Sequence, residues 1–364
     1  MTPPRTVLVV VTRRIGDVLL ATPLVRSIKS ALPGAQIDAL VFAGTEGALE
    51  ANPDLRAVLT VSERPAVGEH LALARRLWRR YDAALSVVPG DRPTLYAWLA
   101  GRWSAGLVID GAKHAWKRRL LDAHAAFDNL DTHTVRMNLA LAPLLGIAPR
   151  AEVVVAWSDG DVRAVDARLA TAGVTGPYAV LHTFPKFNYK MWHETGWVEC
   201  ARWIAARGLR VVLTGGPDPA EREYVARIAA ALPAAVDLAG GVTLAQTAYL
   251  LAHAKLYVGP DTAVTHMAAA AGTPTVALFG PSNPVKWGPW PRGQAADRNP
   301  WDRIGSGERG NVALVQGTGE CVPCLFEGCE RHVASFSDCL ERLAAARVTA
   351  AAARLLDHPS GVAA

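Results

Sequence analysis

The sequence predicts an α/β protein built on two parallel sheets, and three observations carry that reading. In the first half, short apolar runs alternate with amphipathic stretches: a strand over residues 6–11, a helix over 18–30, strands over 37–42 and 57–61, a helix over 70–80 and a strand over 83–88. Strands separated by helical patterns call for right-handed crossovers, hence a parallel sheet that offers ligands its carboxyl edge. The second half repeats the pattern: strand 178–182, helix 195–207, strand 210–213, helices 220–231 and 244–254, and a strand-helix-strand unit over 256–282. Finally, 364 residues exceed one ordinary domain and suffice for two cores.

Apolar residues at 51% and charged residues at 20% describe a globular chain rather than a disordered one. Thirty-eight basic against 33 acidic side chains give a net charge of +5, with an isoelectric point near 9.0. That excess suits phosphorylated substrates or an anionic membrane surface, and is too small to indicate nucleic acid. The apolar run at 6–11 is interrupted by Arg13, Arg14 and Asp17 well before signal-peptide or membrane-span length, so a cytoplasmic protein is expected. In that compartment five cysteines, four of them between Cys321 and Cys339, are not read as a disulfide framework. Cys321, Cys324, Cys329 and Cys339, with His332 nearby, read either as a structural zinc site or as reduced thiols packed in a loop.

The unit at 256–282 organises the second half. A strand ends at Gly259-Pro260, Asp261-Thr262 turn, a small-residue helix runs from Ala263 to Ala271, Gly272 stops it, and a second strand follows from Thr275 to Phe279. The first turn of such a helix leaves the N–H groups of Thr262, Ala263 and Val264 without intrahelical partners, at the positive end of the macrodipole. A phosphate fits there. The plainer alternative makes Asp261 or Thr262 an N-cap and the alanines tight packing, but it leaves the loop Gly280-Pro281-Ser282-Asn283-Pro284 unexplained.

The run from Gly259 to Ser282, followed by Trp287-Gly-Pro-Trp290, resembles the signature of glycosyltransferase family 9, the ADP-heptose:lipopolysaccharide heptosyltransferases. The resemblance is strongest over 180–290, clear at 13–23 and weak over 44–152. It implies a GT-B fold, with two facing Rossmann-like domains and the donor nucleotide on the C-terminal one. It further implies inverting transfer of heptose from ADP-heptose to a phosphorylated inner-core lipopolysaccharide acceptor, with no metal or other cofactor required. A monomer at the inner face of the membrane is the expected state, with an acceptor-binding domain over 1–160, a nucleotide-sugar domain over 161–340 and a terminal helix over 341–364 that either packs back on the first domain or is an inert tail.

Candidate site residues follow. Asp17, at the carboxyl edge of the first strand, reads as a helix N-cap or as a general base for the acceptor hydroxyl, and the family's Gly-Asp motif, which carries the proposed base, falls on Gly16 and Asp17. Arg13 and Arg14 precede it as acceptor contacts. The segment Thr183 to Trp192 resembles the family's Lys-x-Trp segment, so Lys190 is expected at the donor diphosphate, work that a metal ion does in other transferases. Where the commoner pattern has Pro-Gly-Ala, this chain has Thr183-Phe184-Pro185, which is closer to the third heptosyltransferase type. Asp218, preferred to Glu221, reads as a ribose acceptor or as a plain Gly-Pro-Asp turn. Asp261, Thr262, Ala263, Val264 and His266 complete the donor set, although a histidine placed as His266 is more often a packed helix residue. Lys113, Lys117 and Arg118, around Trp116, read as a solvated helix face or as a grip on acceptor phosphates or lipid headgroups. Two rivals remain: a nucleotide-sugar epimerase of the same fold, which needs no acceptor surface, and a basic scaffold whose binding would fall steeply with salt.

Overall fold

The computed structural model describes residues 3–357 and contains two compact units. The first comprises the chain up to Ala156 together with Gly293–Asn299, and the second Trp157–Arg292 with the chain from Pro300 onward.

In the first unit β1 (Thr6–Val11), α1 (Ile15–Leu20), α2 (Thr22–Ala31), β2 (Gln36–Phe42), β3 (Ala57–Val61), α3 (Val67–Leu77), β4 (Tyr81–Ser86), α4 (Asp91–Ala100), β5 (Gly101–Val108), α5 (Ala115–Leu120), β6 (Ala123–Ala126) and α6 (Thr134–Leu139) follow in order. The six strands form one parallel sheet in the order β3-β2-β1-β4-β5-β6. The valine run of β1 is buried on both faces: Val7, Val9 and Val11 enter one core, Leu8 and Val10 the other. A doubly covered parallel strand needs no polar alternation, which is why the sequence shows none.

The second unit continues with α7 (Asp159–Thr171), β7 (Tyr178–His182), α8 (Glu194–Ala205), β8 (Arg210–Thr214), α9 (Pro219–Ala230), β9 (Val236–Asp237), α10 (Leu244–Ala252), β10 (Leu256–Pro260), α11 (Ala263–Ala271), β11 (Thr275–Phe279), α12 (Pro284–Trp287), β12 (Gly307–Arg309), β13 (Val312–Gln316), α13 (Asp338–Glu341) and α14 (Ala345–Asp357). Its sheet runs β12-β13-β11-β10-β7-β8-β9, parallel except for the β12–β13 pair. Without β12, both sheets have the strand order 3-2-1-4-5-6, each with a switch point beside its first strand, where α/β sheets bind ligands. In the first unit that point lies between β1 and β4, in the second between β7 and β10.

Several expectations change. The single helix expected over 18–30 is two, α1 and α2, divided at Ala21 because Pro23 occupies a first-turn position of a new helix. The alanine-rich terminal helix is likewise interrupted between α13 and α14. The apolar stripe of α14, Val348, Ala351, Ala352 and Leu355, shares a core with Ile204, Val276 and Val315. The stripe assigned to the first domain is therefore taken up by the second unit's own core. Gly293–Asn299 joins the first unit through Asn299, whose amide oxygen accepts from His133 N–H at 3.0 Å and Arg136 Nη1 at 3.2 Å while its Nδ2 donates to Asp131 O at 2.7 Å. Among the described residues no helix is long and apolar enough to cross a membrane.

Candidate functional site

In the second unit, three loops at the carboxyl edge of the sheet meet around Asp261. Asp261 follows β10 and is buried. Lys190, on the loop after β7, places its Nζ 2.6 Å from Asp261 Oδ2 and 3.3 Å from its carbonyl oxygen. The Ser282 hydroxyl, after β11, hydrogen-bonds the same carboxylate. Burial on its own would raise the Asp261 carboxyl, but the Lys190 ammonium and the hydrogen bonds outweigh it and hold the group below the usual carboxylate range. His266, one turn into α11, is buried with no hydrogen-bond partner at Nδ1. Burial pushes it down to about 4, with Asp261 opposing and Lys190 assisting, so it is a neutral imidazole near pH 7.

Thr262 stands at the N-cap of α11 with extended backbone, yet its side chain makes no capping bond and lies instead 3.3 Å from Thr265 Oγ1. Thr265 is held from below by the Tyr257 hydroxyl at 2.9 Å and by the Pro260 carbonyl. The amides of Ala263, Val264 and Thr265 are therefore the first turn of a helix with no side-chain cap, beside an ammonium: a place for a polyanion. The open set lies one residue later than the sequence placed it, because Thr262 itself is the cap position. At the other end of α11 Gly272 is left-handed, with φ of 86°, and a Cβ there would meet Arg292 Cδ at 2.8 Å.

Asp218 is exposed and its carboxylate accepts from Ala220 N–H at 2.9 Å, as the N-cap of α9. The acid facing the strand end is Glu221: a Cβ on Gly216 would lie 2.7 Å from its Oε2, and burial raises its carboxyl despite a hydrogen bond from the Gly216 backbone. Sequence alone ranked these two acids the other way; the Pro219 that opens α9 turns Asp218 back onto its own helix. Trp192 is a core residue, its Nε1 donating to Leu343 O at 2.8 Å and its ring edge-on to Trp197.

In the first unit, Asp17 occupies the third position of α1, and Arg14 holds the N-cap position without a capping bond. Arg13 Nε lies 3.7 Å from Asp17 Oδ1, and both arginines are exposed. Lys113 is exposed, and Arg118 donates to the Gly111 carbonyl at 2.9 Å. Lys117 is corrected: it is 1% exposed, its ammonium bonded to the Pro89 carbonyl and 2.7 Å from Asp91, so it braces the loop after β4 instead of reaching outward.

The four clustered cysteines do not assemble a ligand set. Among the described residues no group of three or more His, Cys, Asp or Glu side chains could hold a metal ion. Cys321 and Cys329 are exposed, whereas Cys339 is buried against Gly280 and Gly317, its thiol pushed up to about 12 by burial and by the nearby thiols.

Residues 70–302 match the family model for glycosyltransferase family 9 (heptosyltransferase). The chain belongs to this family. Among its relatives, the lipopolysaccharide heptosyltransferase 3 of Escherichia coli is 28% identical over 291 residues, covering 76% of this chain and 83% of that one, in keeping with the third-type resemblance. The family 9 glycosyl transferase of Veillonella parvula superposes with a TM-score of 0.78 at 18% identity over 97% of both chains. The E. coli ADP-heptose lps heptosyltransferase II does so with a TM-score of 0.72 at 21% identity, over 98% of this chain and 100% of that one. The fold is GT-B, as the resemblance implied.

Proposed function

We propose that this family 9 glycosyltransferase transfers heptose from ADP-heptose, with inversion, to a phosphorylated inner-core lipopolysaccharide acceptor at the cytoplasmic face of the membrane. The observation that carries the reading is the uncapped first turn of α11 beside the Lys190 ammonium, at the switch point of the second sheet. In this reading the amides of Ala263, Val264 and Thr265 and the Lys190 ammonium bind the diphosphate. Asp261 and neutral His266 accept from or donate to donor-sugar hydroxyls, and Glu221, with Asp218 beyond it, lies on the ribose side.

Asp17 takes the proton of the acceptor hydroxyl as its oxygen attacks the anomeric carbon. The bond from that carbon to the phosphate oxygen breaks, and ADP leaves carrying the electron pair, its charge balanced by Lys190 without need of a metal ion. Arg13, Arg14, Lys113 and Arg118 supply cations for acceptor phosphates. Incubation of the enzyme with ADP-heptose and heptose-deficient core oligosaccharide tests this: a heptosylated product with inverted anomeric configuration is expected. Conversion of the donor in the absence of acceptor would instead indicate an epimerase, and no reaction with either would overturn the donor assignment.

A further inference from the structure

In the first unit α3 and α4 lie side by side on one face of the sheet, where Leu73, Leu77, Tyr96 and Ala97 share a core. Their outward sides carry large apolar residues among the charged ones. Val67 is 76% exposed, Leu71 53%, Trp78 58% and Leu95 44%. At 100° per residue Leu71 and Arg75 point away from the buried pair Leu73 and Leu77, and Leu95 and Trp98 point away from Tyr96, Ala97 and Ala100, while Leu99 still packs against the core. The rings of Trp78 and Trp98 meet edge-on with centroids 6.5 Å apart. The Arg79 guanidinium lies 5.8 and 5.9 Å from the two rings and donates to the Gly101 carbonyl at 2.7 Å, which fixes the pair.

Around this ridge the charge is one-sided. Residues 63–80 contain five arginines, Arg64, Arg75, Arg76, Arg79 and Arg80, against two acids, Glu63 and Glu69, and the Glu69 carboxylate accepts from Ser62 N–H at 2.8 Å. Arg102 adds a sixth guanidinium beside Trp103, and the nearby Asp82 is engaged by the Arg5 and Thr6 amides. Exposed aliphatic side chains, two amphipathic indoles and a collar of arginines form the combination that settles at a phospholipid headgroup layer.

We propose that the α3–α4 face docks onto a bilayer containing anionic lipid, with Leu71, Leu95 and the two indoles at the acyl boundary and the arginines on the phosphates. This deepens the membrane-facing part of the proposed function, and its test is independent of transfer. The full-length protein is sedimented with vesicles of phosphatidylcholine alone or with about one-third phosphatidylglycerol. Binding is expected to the anionic vesicles only, and to weaken with salt. Removal of a surface charge weakens such binding about fivefold, so Arg75→Ala/Arg76→Ala/Arg80→Ala should bind at least tenfold more weakly, and Trp78→Ser/Leu71→Ser should release most of the protein. Each variant is checked for the wild-type melting temperature and for unchanged transfer to a soluble acceptor. Failure of wild type to bind overturns the proposal, as does loss of binding in Lys113→Ala/Arg119→Ala with none in the α3–α4 variants. A dimer in sedimentation that Trp78→Ser dissolves, without vesicle binding, would assign the face to a second copy of the chain and also overturn it.

Discussion

Lys190 and Asp261 form an ion pair of 2.6 Å across two loops, with the lysine still one-fifth exposed and the carboxylate buried. The lysine is thus held by protein charge on one side and left available to a ligand on the other. Lys190→Ala should lower stability by about 1–3 kcal/mol, less than for a fully buried pair, because Asp261 loses its counter-charge. It should also weaken ADP binding and turnover together, since the ammonium meets the phosphates in the ground state and the transition state alike. Adding Asp261→Asn should restore the melting temperature but not ADP affinity. A double variant that binds ADP as wild type does would place the diphosphate elsewhere.

The amide of Ala263 can be removed without disturbing the helix it opens. Proline is tolerated at a first helical position, and the extended backbone of Thr262, with ψ of 168°, suits a residue that precedes proline. Thr262→Pro is the poorer choice, because Thr262 has φ of −137°, outside the range of proline. Ala263→Pro should leave the melting temperature nearly unchanged and weaken ADP by about tenfold, one charge-assisted hydrogen bond. Titration calorimetry reads the difference, and equal affinity would separate the phosphates from α11.

What the sequence disclosed, and what it hid, follows from the range of the interactions involved. Strand 256–260, helix 263–271 and the Gly272 stop were readable because strand burial, small-residue packing and a left-handed cap are local. Lys190 and Asp261 were readable only as separate residues, 71 positions apart, and their pairing depends on β7 lying beside β10. Lys117 was misread because nothing in a run of basic residues shows that a carbonyl 28 positions away takes the ammonium. The same limit hid the membership of Gly293–Asn299 in the first unit, which one asparagine secures against residues 131–136. The helix at 70–80 read as an ordinary amphipathic helix until the outward face of α3 was known, and α4 had no counterpart in the sequence reading.

Glu221 and Asp218 should separate cleanly under substitution. Asp218→Ala removes a helix cap and should cost about 1 kcal/mol of stability, with little change in ADP affinity. Glu221→Gln should keep the fold and weaken ADP several-fold by disturbing a half-buried carboxylate at the strand end. The reverse pattern in paired melting and calorimetry experiments would return the ribose to Asp218.

Two buried histidines predict acid sensitivity. Burial pushes His182 and His266 down to about 4 from 6.5. A folded-state value below the unfolded one contributes its full stability above about pH 6.5 and loses it as pH falls toward 4, at most about 3 kcal/mol for each group. Asp261, held below the usual carboxylate range, extends the loss further, below about pH 4. Urea unfolding should give a nearly constant stability from pH 8 to 7 and a steep fall from pH 6 to 4.5, and His266→Gln should remove about half of the slope. A flat profile in wild type would mean that neither ring is buried in solution.

Asp17→Asn separates basicity from shape. The competing role, an N-cap, is not the one Asp17 performs, because Arg14 holds the cap position and Asp17 is the third residue of α1, in its first turn beside Arg13. Loss of the carboxylate should therefore leave the melting temperature within a degree or two while single-turnover transfer falls by roughly 10²–10⁴-fold, the span of a lost acid–base group. Donor affinity should hold, since in the proposed reading the diphosphate is bound by residues of the second sheet. Three other acids and bases at the sheet edges are engaged as well, and closely. Asp91 is held below the usual carboxylate range by its hydrogen bond from Lys117, His182 is buried at hydrogen-bond distance from Thr214 Oγ1, and Asp261 is paired with Lys190. Transfer within a few-fold of wild type in Asp17→Asn would require one of those three to break its present contact in the reacting complex, and the same assay on Asp91→Asn, His182→Gln and Asp261→Asn would show which.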